Sequence, residues 1–189
     1  MNEVLKAIHA RRTVRDFKPD QINEEDLATI LEAGHQAPSE WNRQPWHFTV
    51  VQKRSLLERI EVEAREAFEI NFPEQAKAMP WIISPGFRYF YNAPTVIFIS
   101  GQTSIEKNVQ GDCAIALMNM IYAAESLGLQ TCAVVTVLPA FATESGPAFI
   151  KDMEIPEGYS PMYALVLGYT SKPIPMAAPR KEVFVNYVR

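Results

Sequence analysis

Ala37-Pro38-Ser39-Glu40-Trp41-Asn42-Arg43-Gln44-Pro45-Trp46 separates a helical pattern from the apolar run Phe48-Thr49-Val50-Val51. Pro38 and Pro45 stiffen the stretch and forbid a continuous helix through it. Between them lie a hydroxyl, two carboxamides and a guanidinium, with the indoles of Trp41 and Trp46. A carboxamide presents donor and acceptor on one planar group, which suits a flat heterocycle with both kinds of site on its edge. Indoles suit apolar walls, and each needs a partner for its N–H. Two readings stand: a rigid loop gripping a flat polar aromatic ligand, or a proline-punctuated connection with core tryptophans and turn-forming Asn and Gln.

Upstream, Ile22 to His35 predicts a helix capped by Asn23, with three acidic residues in its first turn and Leu27, Ile30 and Leu31 facing inward. Asn2 to Ala10 predicts a shorter one, with Val4, Leu5 and Ile8 on one face. Between them runs Arg11-Arg12-Thr13-Val14-Arg15-Asp16-Phe17. Extended, it points Arg11, Thr13 and Arg15 to one side. That patch suits a phosphate or a delocalised anion, since guanidinium is a rigid fork of donors; alone, it also fits a solvated basic turn.

Downstream, a strand is expected around Phe48 to Gln52 and a helix from about Ser55 to Ile70. Residues 71–93 are the least regular part, holding Pro73, Pro80, Pro85 and six aromatics, among them Trp81, Phe87 and Tyr91. Such a segment suits a lid or pocket wall, or an insertion packing on the surface. Strands follow at Thr95–Ser100, Thr131–Val137 and Tyr163–Leu167, with a short or broken helix at Pro139–Met153. Residues 110–127 form a helix apolar almost all round, as in a core helix or a subunit interface. The apolar tail 182–189 is expected to dock on its own subunit or on another. The whole reads as one α+β domain over 1–189, a mainly antiparallel sheet packed with helices.

The 189 residues suffice for a full core. Hydrophobic residues make up 48% and charged residues 21%, the balance of an ordinary globular protein. No apolar run spans a bilayer, and the N-terminus lacks a signal-peptide core, so a cytoplasmic home and no membrane partner are expected. A net charge of -4 gives no bulk attraction for nucleic acid. Cys113 and Cys132 lie in apolar segments and read as buried thiols. No G-x-G-x-x-G follows a strand, and there is no Walker-A sequence or G-x-S-x-G elbow. His9, His35 and His47 stand apart, so no metal is expected. No side chain pairs as nucleophile and base, so none is expected to be catalytic; a bound cofactor would carry any chemistry.

Four stretches in order, namely Arg11 to Phe17, Ala37 to Trp46, Ile155-Pro156-Glu157-Gly158-Tyr159 leading to Leu167-Gly168-Tyr169, and Pro179-Arg180-Lys181, resemble the nitroreductase family of FMN-dependent oxidoreductases. The resemblance covers about residues 4–181. It implies an α+β homodimer with two FMN sites at the subunit interface and NADH or NADPH as co-substrate. It implies that Arg11, Arg12, Thr13 and Arg15 meet the FMN phosphate, ribityl chain and pyrimidine edge, with Arg180 and Lys181 adding phosphate contacts. Pro38, Ser39, Asn42 and Gln44 would reach the flavin from the other subunit. The implied reaction is ping-pong: hydride passes from nicotinamide to flavin N5, then to a small organic electron acceptor such as a nitroaromatic or a quinone. Reductive dehalogenation, flavin fragmentation and substrate dehydrogenation run on the same scaffold, and non-enzymatic flavin binding is a further alternative. The chain departs from the family in two places. Ala133 to Val137 leads into Leu138-Pro139-Ala140 instead of a glycine turn, leaving a backbone donor around Val135 and Thr136 to reach N5. Residues 71–93 are also longer and more aromatic than in compact members.

Overall fold

A computed structural model describes residues 1–105 and 107–189. Four strands, β1 (Trp46–Val51), β2 (Thr95–Gln102), β3 (Gln130–Val134) and β4 (Tyr159–Gly168), form one sheet in the order β1-β2-β4-β3, every pair antiparallel. Six helices cover it: α1 (Glu3–Ala10), α2 (Glu24–His35), α3 (Arg54–Asn71), α4 (Pro73–Ala78), α5 (Val109–Ser126) and α6 (Gly146–Asp152). Asn2 and Asn23 cap α1 and α2, each side-chain oxygen accepting a backbone N–H three residues on.

The period-two alternation of the strands divides the interior into two layers. Ile97, Ile99, Leu165 and Leu167 face one side and pack with α2 and α5. Val96, Phe98, Ala164, Val166, Cys132 and Val134 face the other and pack with α3 and the aromatics Tyr89 and Phe90. Phe98 ties this second layer together, its ring meeting Phe90 and Phe141 edge-on at 5.9 and 5.6 Å. β2 is therefore buried on both faces, which explains its near-continuous apolar run.

Several elements differ from the sequence expectation. β3 ends at Val134, and Val135 to Val137 turn away into a 3-10 segment, Leu138–Ala142. Proline at 139 lacks the N–H a strand ladder would use. β4 begins at Tyr159, four residues early, and absorbs Pro161 where the β2–β4 register shifts at Ile99/Ser100. Pro73 starts α4 inside the segment read as irregular, since proline is tolerated in a first helical turn. α5 is buried on one face only: Ile115 and Met118 lie open in the single chain, so its apolar belt is not used up by this subunit. The tail 182–189 has no regular structure and is exposed throughout on its own subunit.

Tyr89 is fully buried, yet its phenol oxygen has no hydrogen-bond partner among the described residues. Burial pushes its pKa up to about 12. A phenol kept neutral in the fold supports stability fully below its ordinary value of 10.0, and that support is lost as pH climbs toward about 12. Tyr89→Phe removes the orphan hydroxyl. Urea unfolding near neutral pH should show the variant equal to the parent or about 1 kcal/mol more stable, with a shallower decline in alkali.

Candidate functional site

The basic segment begins where α1 stops. Arg12 Nη1 donates to the carbonyls of His9, Ala10 and Arg11 at 2.7, 3.0 and 2.8 Å, closing the negative end of the helix with a cation. Its Nε is buried with no acceptor among the described residues. The chain then extends along the outer edge of β3: Thr13 bridges Thr131 in parallel, and Val14 N–H donates to Thr131 O at 3.0 Å. Val14 and Phe17 enter the core, while Arg15 stays exposed. Gly168 lets this segment close on the end of β4, because a Cβ there would stand 3.2 Å from Pro94 Cδ and 3.4 Å from Phe17 Cδ1. Lys18 N–H donates to Tyr169 O at 2.8 Å, and Lys172 pairs with Asp16 at 2.8 Å.

At the end of β3 a cavity of about 540 Å³ opens between Arg15, Cys132, Val135 and Thr136 on one side and Phe87 and Tyr91 on the other. The aromatic segment 71–93 thus supplies a wall of the hollow. The Arg15 guanidinium lies 6.0 Å from the Tyr91 ring centroid. Burial raises the pKa of both Tyr91 and Cys132, so each is held neutral. Arg15 is the one charged side chain among the described residues that line the cavity. The N–H groups of Thr136 and Val137 donate to no backbone oxygen among the described residues. A second hollow, of about 450 Å³, follows β1 past His47, Thr49 and Asp152 and holds none of the residues singled out in the sequence.

The loop Ala37–Pro45 has a different character. Ser39 Oγ accepts from Gln44 N–H at 2.8 Å, and the buried Asp112 of α5 accepts from Glu40 N–H at 3.2 Å. Held this way, Trp41, Asn42 and Gln44 all take left-handed backbone, with φ of 54°, 55° and 49°. That region disfavours side-chain-bearing residues, and strain gathered in one loop marks a site of use. The two indoles separate: Trp46 is buried and stacks on Phe48, whereas Trp41 is 83% exposed. Gln44 Nε2 donates to Asn42 Oδ1 at 3.1 Å, so the two carboxamides form one polar edge.

One chain does not bring the two halves together. The loop feeds β1 and the basic segment flanks β3, at opposite edges of the sheet. Three strand spacings separate β1 from β3, roughly 14 Å across the ladder, and the basic segment lies beyond β3. They also differ in level: Trp46 pairs with Gly101, which pairs with Ser160 of β4, while Thr131 pairs with Leu167. Arg15, Val135 and Thr136 share the cavity; Arg11, Arg12 and Thr13 precede it on the same strip; Pro38, Ser39, Asn42 and Gln44 lie at the far edge; Arg180 and Lys181 ride the exposed tail. The residues the sequence left unassigned are Phe87 and Tyr91. Their only signal was aromatic density, because nothing local reveals that Tyr91 and Asn92 turn through left-handed backbone, with φ of 52° and 59°.

The Nitroreductase family model matches residues 8–169. The chain is 33% identical over 175 residues to a protein of Methanothermobacter thermautotrophicus named "Putative NADH dehydrogenase/NAD(P)H nitroreductase", covering 90% of this chain and 78% of that one. It is similar to the nitroreductase with bound FMN from Bacteroides fragilis, with TM-score 0.89, 30% identity and all of both chains covered. The nitroreductase with bound FMN from Desulfitobacterium hafniense aligns with TM-score 0.87 and 31% identity over 98% of this chain and 100% of that one. On fold, ordered motifs and family match together, this chain belongs to the nitroreductase family.

Proposed function

We propose that this chain is an FMN-dependent NAD(P)H oxidoreductase that reduces a small organic acceptor such as a nitroaromatic or a quinone, working as a homodimer. The observation that carries this reading is the cavity at the end of β3, where one fixed cation, Arg15, faces an aromatic wall beside open backbone donors. The donor set suits FMN. Arg11 and Arg12 offer guanidinium forks for a phosphate, and the buried Nε of Arg12 has no acceptor among the described residues. The hollow is roomy enough for a flat ring system.

FMN, when bound, supplies the centre that takes a hydride from NADH or NADPH and passes it to the acceptor. Arg15, which lines the cavity, would hold the polar edge of the ring and favour negative charge building there. Thr136 and Val137 present N–H donors in place of the glycine turn usual in the family. Phe87 and Tyr91 keep water from the wall they form. Tyr91 and Cys132 hold their protons and exchange none near neutrality, because burial raises both. No described side chain of the cavity therefore acts as acid or base.

A second copy is needed because Pro38, Ser39, Asn42 and Gln44 stand a sheet's width from Arg15. Apolar surface left open by the single chain supports that assembly: Val4, Leu5 and Ile8 of α1, Ile115 and Met118 of α5, and Val183, Phe184 and Val188 of the tail. In this arrangement the loop would carry Trp41 toward the second copy, and the tail would bring Arg180 and Lys181 to the phosphate-binding residues there. No described helix is long and apolar enough to cross a membrane. Two unpaired buried thiols go with a reducing cytoplasm.

Purified protein should be yellow and should bleach on anaerobic addition of NADH or NADPH; a colourless chain that takes up no FMN overturns the reading. Arg15→Ala should weaken FMN binding about tenfold to a hundredfold, the value of a charge-assisted bond. Arg59→Ala, whose guanidinium pairs with Asp152 away from the cavity, should leave it unchanged; equal losses would make the basic patch merely structural. Light scattering should return twice the chain mass. Removal of residues 182–189 should shift that mass toward the monomer.

A further inference from the structure

The wall segment is gripped by one helix. Arg54, Glu61 and Arg65 of α3 are spaced seven and four residues apart, so they share a face. Arg54 Nη2 donates to Asn92 Oδ1 at 2.9 Å. Arg65 Nη2 donates to the carbonyls of Phe87 and Pro85 at 3.3 and 3.5 Å. Between them Glu61, only 3% exposed, accepts the backbone N–H of Phe90 at 2.9 Å and meets Arg88 Nη1 at 3.5 Å. A carboxylate is rarely taken so far from water unless it is paired, and here every described partner belongs to one segment, Arg88 to Phe90. The residues just beyond that anchor, Tyr91 and Asn92, adopt left-handed backbone, and the Tyr91 ring thereby meets Phe87 edge-on at 6.0 Å and lies beside Arg15. A bulky residue holds such a conformation only when its surroundings over-determine it.

We infer that Glu61 is a positioning residue: from outside the cavity, it fixes Phe90 and Arg88 so that Tyr91 is turned against Arg15 and the wall of the flavin pocket stays closed. Glu61 touches neither the cavity nor its contents. Its effect travels through the Phe90 N–H, the left-handed turn and the Tyr91 ring. The flavin part of the inference rests on the function proposed above; the closed wall does not.

The two thiols separate a local role from a general one. Cys132 lines the cavity behind the wall, whereas Cys113 is fully buried on α5 in the opposite core layer. In full-length protein, alkylation by iodoacetamide is followed at each thiol by mass spectrometry, and FMN affinity by fluorescence. Glu61→Leu should speed alkylation of Cys132 about tenfold while leaving Cys113 unchanged, and should raise the FMN dissociation constant by a similar factor. Glu61→Gln keeps an oxygen for the Phe90 N–H and should stay within about twofold of the parent in both readings. Should Glu61→Leu fail to fold, Arg65→Met releases the same segment from its other end and should speed Cys132 selectively. Equal acceleration at both thiols overturns the inference, as does an unchanged Cys132 rate in the folded variants. Parent protein that binds no FMN counts against the proposed function alone, and the ratio of thiol rates still decides whether Glu61 holds the wall.

Discussion

The order of four strands governs this molecule. With β1 and β3 at opposite edges, the strained loop that leads into β1 and the basic strip that flanks β3 can never meet within one chain. In the proposed site each half supplies a different chemistry. The loop presents carboxamides and an exposed indole; the strip presents cations and borders a cavity. In the proposed dimer the question of ligand binding becomes one of assembly, and the apolar surface that the single chain leaves open is what a second copy would cover.

Much of this was legible before any coordinates. Asn2 and Asn23 announced their helices, and the apolar run Thr95–Ser100 announced β2. The basic strip was readable because Arg11, Thr13 and Arg15 fall on one side of an extended chain. The early end of β3 was not, although Pro139 hinted at it: apolarity continues through Val137, and burial without pairing looks the same in a sequence as burial in a ladder. Nor was the start of β4, where Pro161 argued against a strand that a register shift accommodates.

The wall of the cavity shows why site residues are harder to read than scaffold. Tyr91 earns its place through contacts 30 residues back along the chain, from Glu61 on α3, and through a backbone conformation that tyrosine seldom adopts. Trp41 is the same case at the other half: a bulky residue held left-handed by Ser39 and Asp112. Local preference points away from both conformations. Both belong to the two stretches from which the site is proposed to be built, although Glu154 shows the same backbone away from them.

α1 carries a consequence of its own. It is eight residues long and buries none of them on its own subunit. Helices this short are marginal in water without neighbours. Its last turn leads directly into Arg11 and Arg12, whose backbone and side-chain bonds close that turn. In the proposed dimer, dilution that parts the copies would fray this helix first, and its arginines would lose their bearing. Retention of the proposed coenzyme would then be tied to concentration: a scarce chain would also be an empty one.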